Sequence, residues 1–121
     1  MKVRAACNRT VESVEADDPL LEAASKMAFD EVGSAVVYDE GRFVGIITER
    51  DLVRAMADGV DPDATSVRAY MTEDPVVVDA DDDVELAVRE MVAVGIRHLP
   101  VVAGADVVGM ISARDLLGLR T

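Results

Sequence analysis

Apolar residues recur at helical spacing in two stretches: Leu20, Ala23, Ala24 and Met27, then Val84, Ala87, Val88 and Met91. Helices are therefore predicted over about 19–30 and 83–94. Each is preceded by a short β-type run, about 11–14 and 76–78, and by an aspartate, Asp18 or Asp82, placed to cap the helix. Pro19 is expected at the first helical position, where a missing N–H costs nothing. Two β-rich runs follow each helix. In the first half these are 34–38 and 42–48, separated by the turn sequence Asp39-Glu40-Gly41; in the second they are 99–102 and 107–112, turning at Ala103-Gly104-Ala105-Asp106. Further helices are predicted over about 49–58 and 113–119.

The two halves are copies. A shift of 64 positions aligns residues 3–53 with 67–117 without a gap and gives 16 identities over 51 positions. Val3-Arg4-Ala5 matches Val67-Arg68-Ala69, Ala16-Asp17-Asp18 matches Ala80-Asp81-Asp82, and Arg50-Asp51-Leu52 matches Arg114-Asp115-Leu116. The fold class is α/β of the α+β type, with two tandem β-α-β-β-α motifs and a short leading segment in each. Residues 1–59 form the first motif, 60–66 a linker and 67–121 the second motif. Each motif is too small to bury its sheet face alone, so the two are expected to pack through their sheets with pseudo-twofold symmetry.

Charge narrows the function. The 121 residues carry 24 acids against 12 bases, a net charge of −12. That balance argues against nucleic acid as the main partner. Aspartate outnumbers glutamate, and lysine occurs only at positions 2 and 26, a composition suited to concentrated salt and a halophilic host. No apolar run reaches the ~20 residues of a membrane span, and no signal peptide is recognisable, so a cytoplasmic location is expected. A single cysteine and a single histidine exclude a disulfide framework and a zinc cluster. Asp79 to Glu90 imitates a calcium loop, but Val84 stands where the turn needs glycine.

The strongest chemical signal is Gly45-Ile46-Ile47-Thr48-Glu49-Arg50-Asp51 and its echo Gly109-Met110-Ile111-Ser112-Ala113-Arg114-Asp115. A hydroxyl followed three residues later by an acid is the pattern of a capping box. The same arrangement can serve a nucleotide. Free N–H groups and a hydroxyl at a helix mouth hold phosphate, the aspartate can accept both hydroxyls of a ribose, and Arg50 or Arg114 can add bidentate phosphate contacts. Capping and binding are compatible, and both are expected.

These motifs, with Tyr-Met-Thr-Glu-Asp-Pro-Val-Val-Val (70–78) and Gly-Ile-Arg-His-Leu-Pro-Val-Val (95–102), closely resemble the cystathionine-β-synthase (CBS) domain family. The resemblance spans nearly the whole chain and occurs twice. It implies a Bateman module: two CBS motifs with clefts between them for AMP, ADP, ATP or S-adenosylmethionine, assembled as a homodimer that regulates a partner protein in trans and is not an enzyme. No resident cofactor is implied; the nucleotide is the regulatory ligand, and magnesium is a candidate companion. Carried over by position, Asp51 and Asp115 bind ribose, and Thr48 and Ser112 touch ribose or phosphate. Ile96 and the 95–100 backbone, Pro100 included, line an adenine slot. Arg97 and His98 face phosphates, and Thr72 contacts ligand.

The first copy departs from the pattern. Gly33-Ser34-Ala35-Val36 replaces Arg97-His98-Leu99-Pro100, Asn8 stands for Thr72, and Glu49 puts a negative charge where Ala113 has none. The Asp115 cleft is therefore expected to be the more competent. A second reading, a ligand-free dimeriser in which the boxes only cap helices, is kept beside it.

Overall fold

The computed structural model describes residues 1–118. In chain order the elements are α1 (Val3–Ala6), β1 (Ser13–Glu15), α2 (Leu20–Asp30), β2 (Ser34–Asp39), β3 (Arg42–Thr48) and α3 (Glu49–Ala57). After a single 3-10 turn (Val67–Ala69) come β4 (Thr72–Glu73), β5 (Val78–Asp79), α4 (Val84–Val94), β6 (His98–Ala103), β7 (Asp106–Ser112) and α5 (Ala113–Gly118). Residue 119, the predicted end of the last helix, lies outside the described residues. The α/β class and the duplicated motif stand as read from the sequence.

The chain forms two compact units, and their boundaries are not those of the repeat. One unit is Glu12–Asp74; the other joins Met1–Val11 to Pro75–Thr121. Each copy's leading segment thus belongs to the unit built by the other copy. In the 12–74 unit, the sheet runs β1-β2-β3-β4, with β1 parallel to β2 and the remaining neighbours antiparallel. Its core is Val14, Leu20, Ala23, Met27, Ala35, Val37, Ile47 and Val67 with their neighbours. In the other unit the sheet runs β5-β6-β7 over Val3, Val78, Ala87, Met91, Leu99, Val101 and Ile111.

The repeated identities show how the leading segments are held. In the 12–74 unit Val67 N donates to Asp18 O and Arg68 N to Ala16 O, both at 2.8 Å, while the Arg68 guanidinium reaches Asp17 and Asp39, each at 3.1 Å. In the other unit Val3 N donates to Asp82 O at 2.8 Å and Arg4 N to Ala80 O at 3.0 Å, and Arg4 pairs with Asp81 at 2.6 Å. The hydrogen bonds that Arg68 donates to Asp17 and Asp39 raise its pKa above its already high ordinary value.

Two local expectations are corrected. Asp18 and Asp82 do not cap α2 and α4; their Oδ2 atoms accept from Glu15 N and Asp79 N at 2.9 Å, closing the turn before the helix. Pro19 is the N-cap of α2, with an extended ψ of 151°, and not its first helical residue. The acids of the calcium-like stretch serve as turn acceptors and as partners of Lys2 and Arg4.

Candidate functional site

In the 12–74 unit, β3 delivers Thr48 to the start of α3, and a complete capping box forms there. Asp51 N donates to Thr48 Oγ1 at 3.3 Å, and Thr48 N donates to Asp51 Oδ2 at 2.9 Å. The Thr48 hydroxyl also donates to Oδ2 at 3.1 Å. Arg54 Nη2 donates to Asp51 Oδ1 at 2.8 Å, and Asp51 is only 5% exposed. The first helical N–H, that of Glu49, donates to Gly33 O at 3.0 Å. Glu49 and Arg50 are exposed.

The other unit repeats this mouth with fewer bonds. Ser112 N donates to Asp115 Oδ2 at 2.9 Å, Asp115 N donates to Ser112 Oγ at 3.1 Å, and Ala113 N donates to Arg97 O at 2.9 Å. Asp115 is half-buried, and among the described residues its Oδ1 has no hydrogen-bond donor. His98, at the start of β6, is paired with Ser112 across the sheet, so Arg97, His98, Ser112 and Asp115 share one end of it. Arg97 and Arg114 are exposed; Ile96 is partly buried against the core.

Pro100 could serve the slot that the resemblance implies only through its backbone. It is fully buried in the middle of β6, so its side chain is packing and not ligand surface. Its counterpart Val36 donates its N–H to Glu12 O at 2.9 Å. Proline has no such hydrogen to give. That loss accounts for β5 starting at Val78, one position later in the repeat than β1 starts at Ser13.

The exchange of leading segments relocates two more residues. Thr72, which in the sequence lies just before the first strand of the second copy, pairs with Ile46 and stands exposed beside the Asp51 mouth. Asn8, its counterpart, bridges Met110 through two 2.9 Å backbone hydrogen bonds and stands beside the Asp115 mouth. Cys7 lies next to it; burial pushes its thiol pKa up, and Asp115 pushes in the same direction. Sequence reasoning missed Asn8 and Cys7 at this place because in the sequence both belong to the first copy.

The family model for the CBS domain matches residues 3–58 and 67–120, nearly the whole chain. The chain belongs to the CBS-domain family. It is 40% identical over 117 residues to an uncharacterised 17.7 kDa protein of Acidianus ambivalens, covering 95% of this chain and 70% of that one. Among solved structures it is similar to a CBS-domain protein of Agrobacterium tumefaciens, with 31% identity, a TM-score of 0.91, and coverage of 99% of this chain and 93% of that one. It is also similar to a CBS domain protein of Pyrobaculum aerophilum complexed with AMP, with 29% identity, a TM-score of 0.88, and coverage of 99% and 98%. The chain spans 31% and 51% of the length of two further curated relatives. No helix among the described residues is long and apolar enough to cross a membrane.

Proposed function

We propose that this CBS pair is a regulatory module that binds an adenosine-containing ligand (AMP, ADP, ATP or S-adenosylmethionine) and signals by a change of conformation or of dimer geometry. It acts on a partner protein in trans and carries out no reaction of its own. The observation that carries the reading is the half-open Asp115: a carboxylate fixed by Ser112 N through one oxygen, its other oxygen without a donor among the described residues and so open to a ribose diol. The Pyrobaculum aerophilum relative, bound to AMP, supports it. Arg97, His98 and Arg114 are the groups assigned to phosphate, Ser112 to ribose or phosphate, and Ile96 to the base. In the other unit Thr48, Arg50, Asp51 and Thr72 hold the corresponding roles.

The net charge of −12 opposes an anionic ligand. Local arginines, salt screening or a magnesium ion accompanying the phosphates would offset that repulsion. The complete capping box at Thr48 and Asp51 favours the second reading, a structural dimeriser without ligand.

Asp115→Asn separates the two. It retains an oxygen for the Ser112 bond but loses the charge. Calorimetric titration with the four ligands, at low and high KCl, should show affinity falling on the order of tenfold to a hundredfold, as expected for charged hydrogen bonds. The melting temperature without ligand should barely move. If none of the four ligands binds or shifts the wild-type melting temperature, the dimeriser reading replaces the sensor.

A further inference from the structure

At the carboxylate the two mouths differ in two contacts, one from the Thr48 hydroxyl and one from Arg54, and only Arg54 has no side chain opposite it in the repeat. A carboxylate offers about four acceptor positions. At Asp51 three are used: Oδ2 by Thr48 N and Thr48 Oγ1, and Oδ1 by Arg54 Nη2. A ribose diol needs two, so the mouth is one short. At Asp115 a single donor from the described residues, Ser112 N, leaves three.

Arg54 is itself held in place. Its Nη2 also donates to Tyr70 O at 3.2 Å, and its guanidinium carbon lies 6.0 Å from the centre of the Tyr70 ring. The Tyr70 hydroxyl donates to Asp58 Oδ2 at 2.7 Å, and Asp58 is the C-cap of α3. The arginine is thus braced between its own helix and the segment leading into β4. The repeat offset of 64 places Gly118 opposite Arg54. A Cβ built at Gly118 would meet nothing within 4 Å among the described residues, so the first atom of a side chain has room there.

We propose that Arg54 is a specificity-determining latch that keeps the Asp51 carboxylate from a nucleotide's ribose, so that the Asp115 mouth fills first. The inference rests on the nucleotide reading above. To use Asp51, a ligand must rotate Arg54 away, and its apparent affinity falls by the fraction of time the latch is open. The Arg54 side chain is 57% exposed, so rotation is unobstructed from the solvent side.

The test is calorimetric titration of AMP into five forms of the full chain: wild type, Asp115→Asn, Arg54→Ala, their double variant and Gly118→Arg. Wild type is expected to hold one strong site per chain, and Asp115→Asn to leave only a weak one. Adding Arg54→Ala to Asp115→Asn should strengthen that remaining site tenfold or more, while Arg54→Ala alone should yield two strong sites. Gly118→Arg, which transplants the latch, should weaken wild-type binding about tenfold, the loss expected from tying up a charged acceptor. If Arg54→Ala weakens or leaves unchanged the binding seen in Asp115→Asn, or Gly118→Arg has no effect, the latch is overturned while the nucleotide reading stands. If no form binds AMP, both fall together.

Discussion

Gly45 sits where β4 lies closest to β3, and replacing it with alanine probes that approach directly. A Cβ at position 45 would meet the Thr72 carbonyl oxygen well inside van der Waals contact, with the Thr72 carbonyl carbon at 3.3 Å. Both atoms are backbone, so β4 itself must move. Its two residue pairs, Gly45 with Glu73 and Ile46 with Thr72, would be lost or weakened. At about 1 kcal/mol for each net hydrogen bond and ~1–3 kcal/mol for overpacking, Gly45→Ala should cost ~3–5 kcal/mol. Gly109→Ala is the internal control. There the new Cβ meets Cys7 Sγ at 2.7 Å and Asn8 O at 3.0 Å. The sulfur can rotate away, so the cost should be ~1–2 kcal/mol, and Cys7→Ala should recover part of it. For a chain of this size ~4 °C per kcal/mol gives losses of ~12–20 °C and ~4–8 °C. Circular dichroism melts of the four proteins would measure both. A Gly45→Ala variant no less stable than Gly109→Ala would show that β4 is not held where the argument needs it.

Three further expectations follow from single features. Glu31 ends α2 with a φ of 55°, where the repeat offset places Gly95 at 75°, so Glu31→Gly should raise stability by ~0.5–1 kcal/mol in urea melts; a loss would contradict the strain argument. The Tyr70 hydroxyl bond to Asp58 raises its pKa above the ordinary tyrosine value of about 10. Its contribution is therefore present below that pH and lost as pH rises through the higher folded value. The stability gap between wild type and Tyr70→Phe should stay constant through neutral pH and close only in the alkaline range; closure at or below pH ~9 would refute the assignment. With a net charge of −12, the melting temperature should climb steeply from low to molar KCl, even though exposed pairs such as Arg4–Asp81 weaken. A salt-independent melt would remove the basis for a salt-adapted surface.

Much of this fold is legible because its signals are local. Helical spacing around Ala23 and Met27, the turn at Glu40-Gly41 and the hydroxyl-acid pairs each act within a few residues, and the duplication reads each signal twice. Where two local uses compete for one side chain, the sequence does not arbitrate. Asp18 could cap α2 or close the preceding turn, and the nearby Glu15 N–H takes it. The capping half of the mouth was legible for the same reason. The Arg54 contact was not, because the repeat alignment stops at position 53 and never sets Arg54 against Gly118, although the Asp51–Arg54 spacing is itself an ordinary helical ion pair.

The exchange of leading segments has a different origin. In the alignment Val3-Arg4-Ala5 and Ala16-Asp17-Asp18 are two segments of one copy, each matched in its duplicate by Val67-Arg68-Ala69 and Ala80-Asp81-Asp82. In space they are partners across copies: Arg4 bonds Asp81 of the second, and Arg68 bonds Asp17 of the first. The contacts that hold the segments, backbone hydrogen bonds and an Arg–Asp pair, are of the same kind in both units, so they do not by themselves choose between a copy's own segment and the other copy's. Chain reach then decides. From Asp58 at the end of α3 the chain runs on past α2, where Leu20 N and Leu21 N donate to Thr65 O and Pro62 O, and it reaches β3 only at Thr72. The linker is thereby bound to the first copy before the second begins its own strands. The mouth residues inherit the exchange: Thr72 stands with Asp51, and Asn8 with Asp115. Each candidate site therefore draws on both copies of the sequence while lying within a single compact unit.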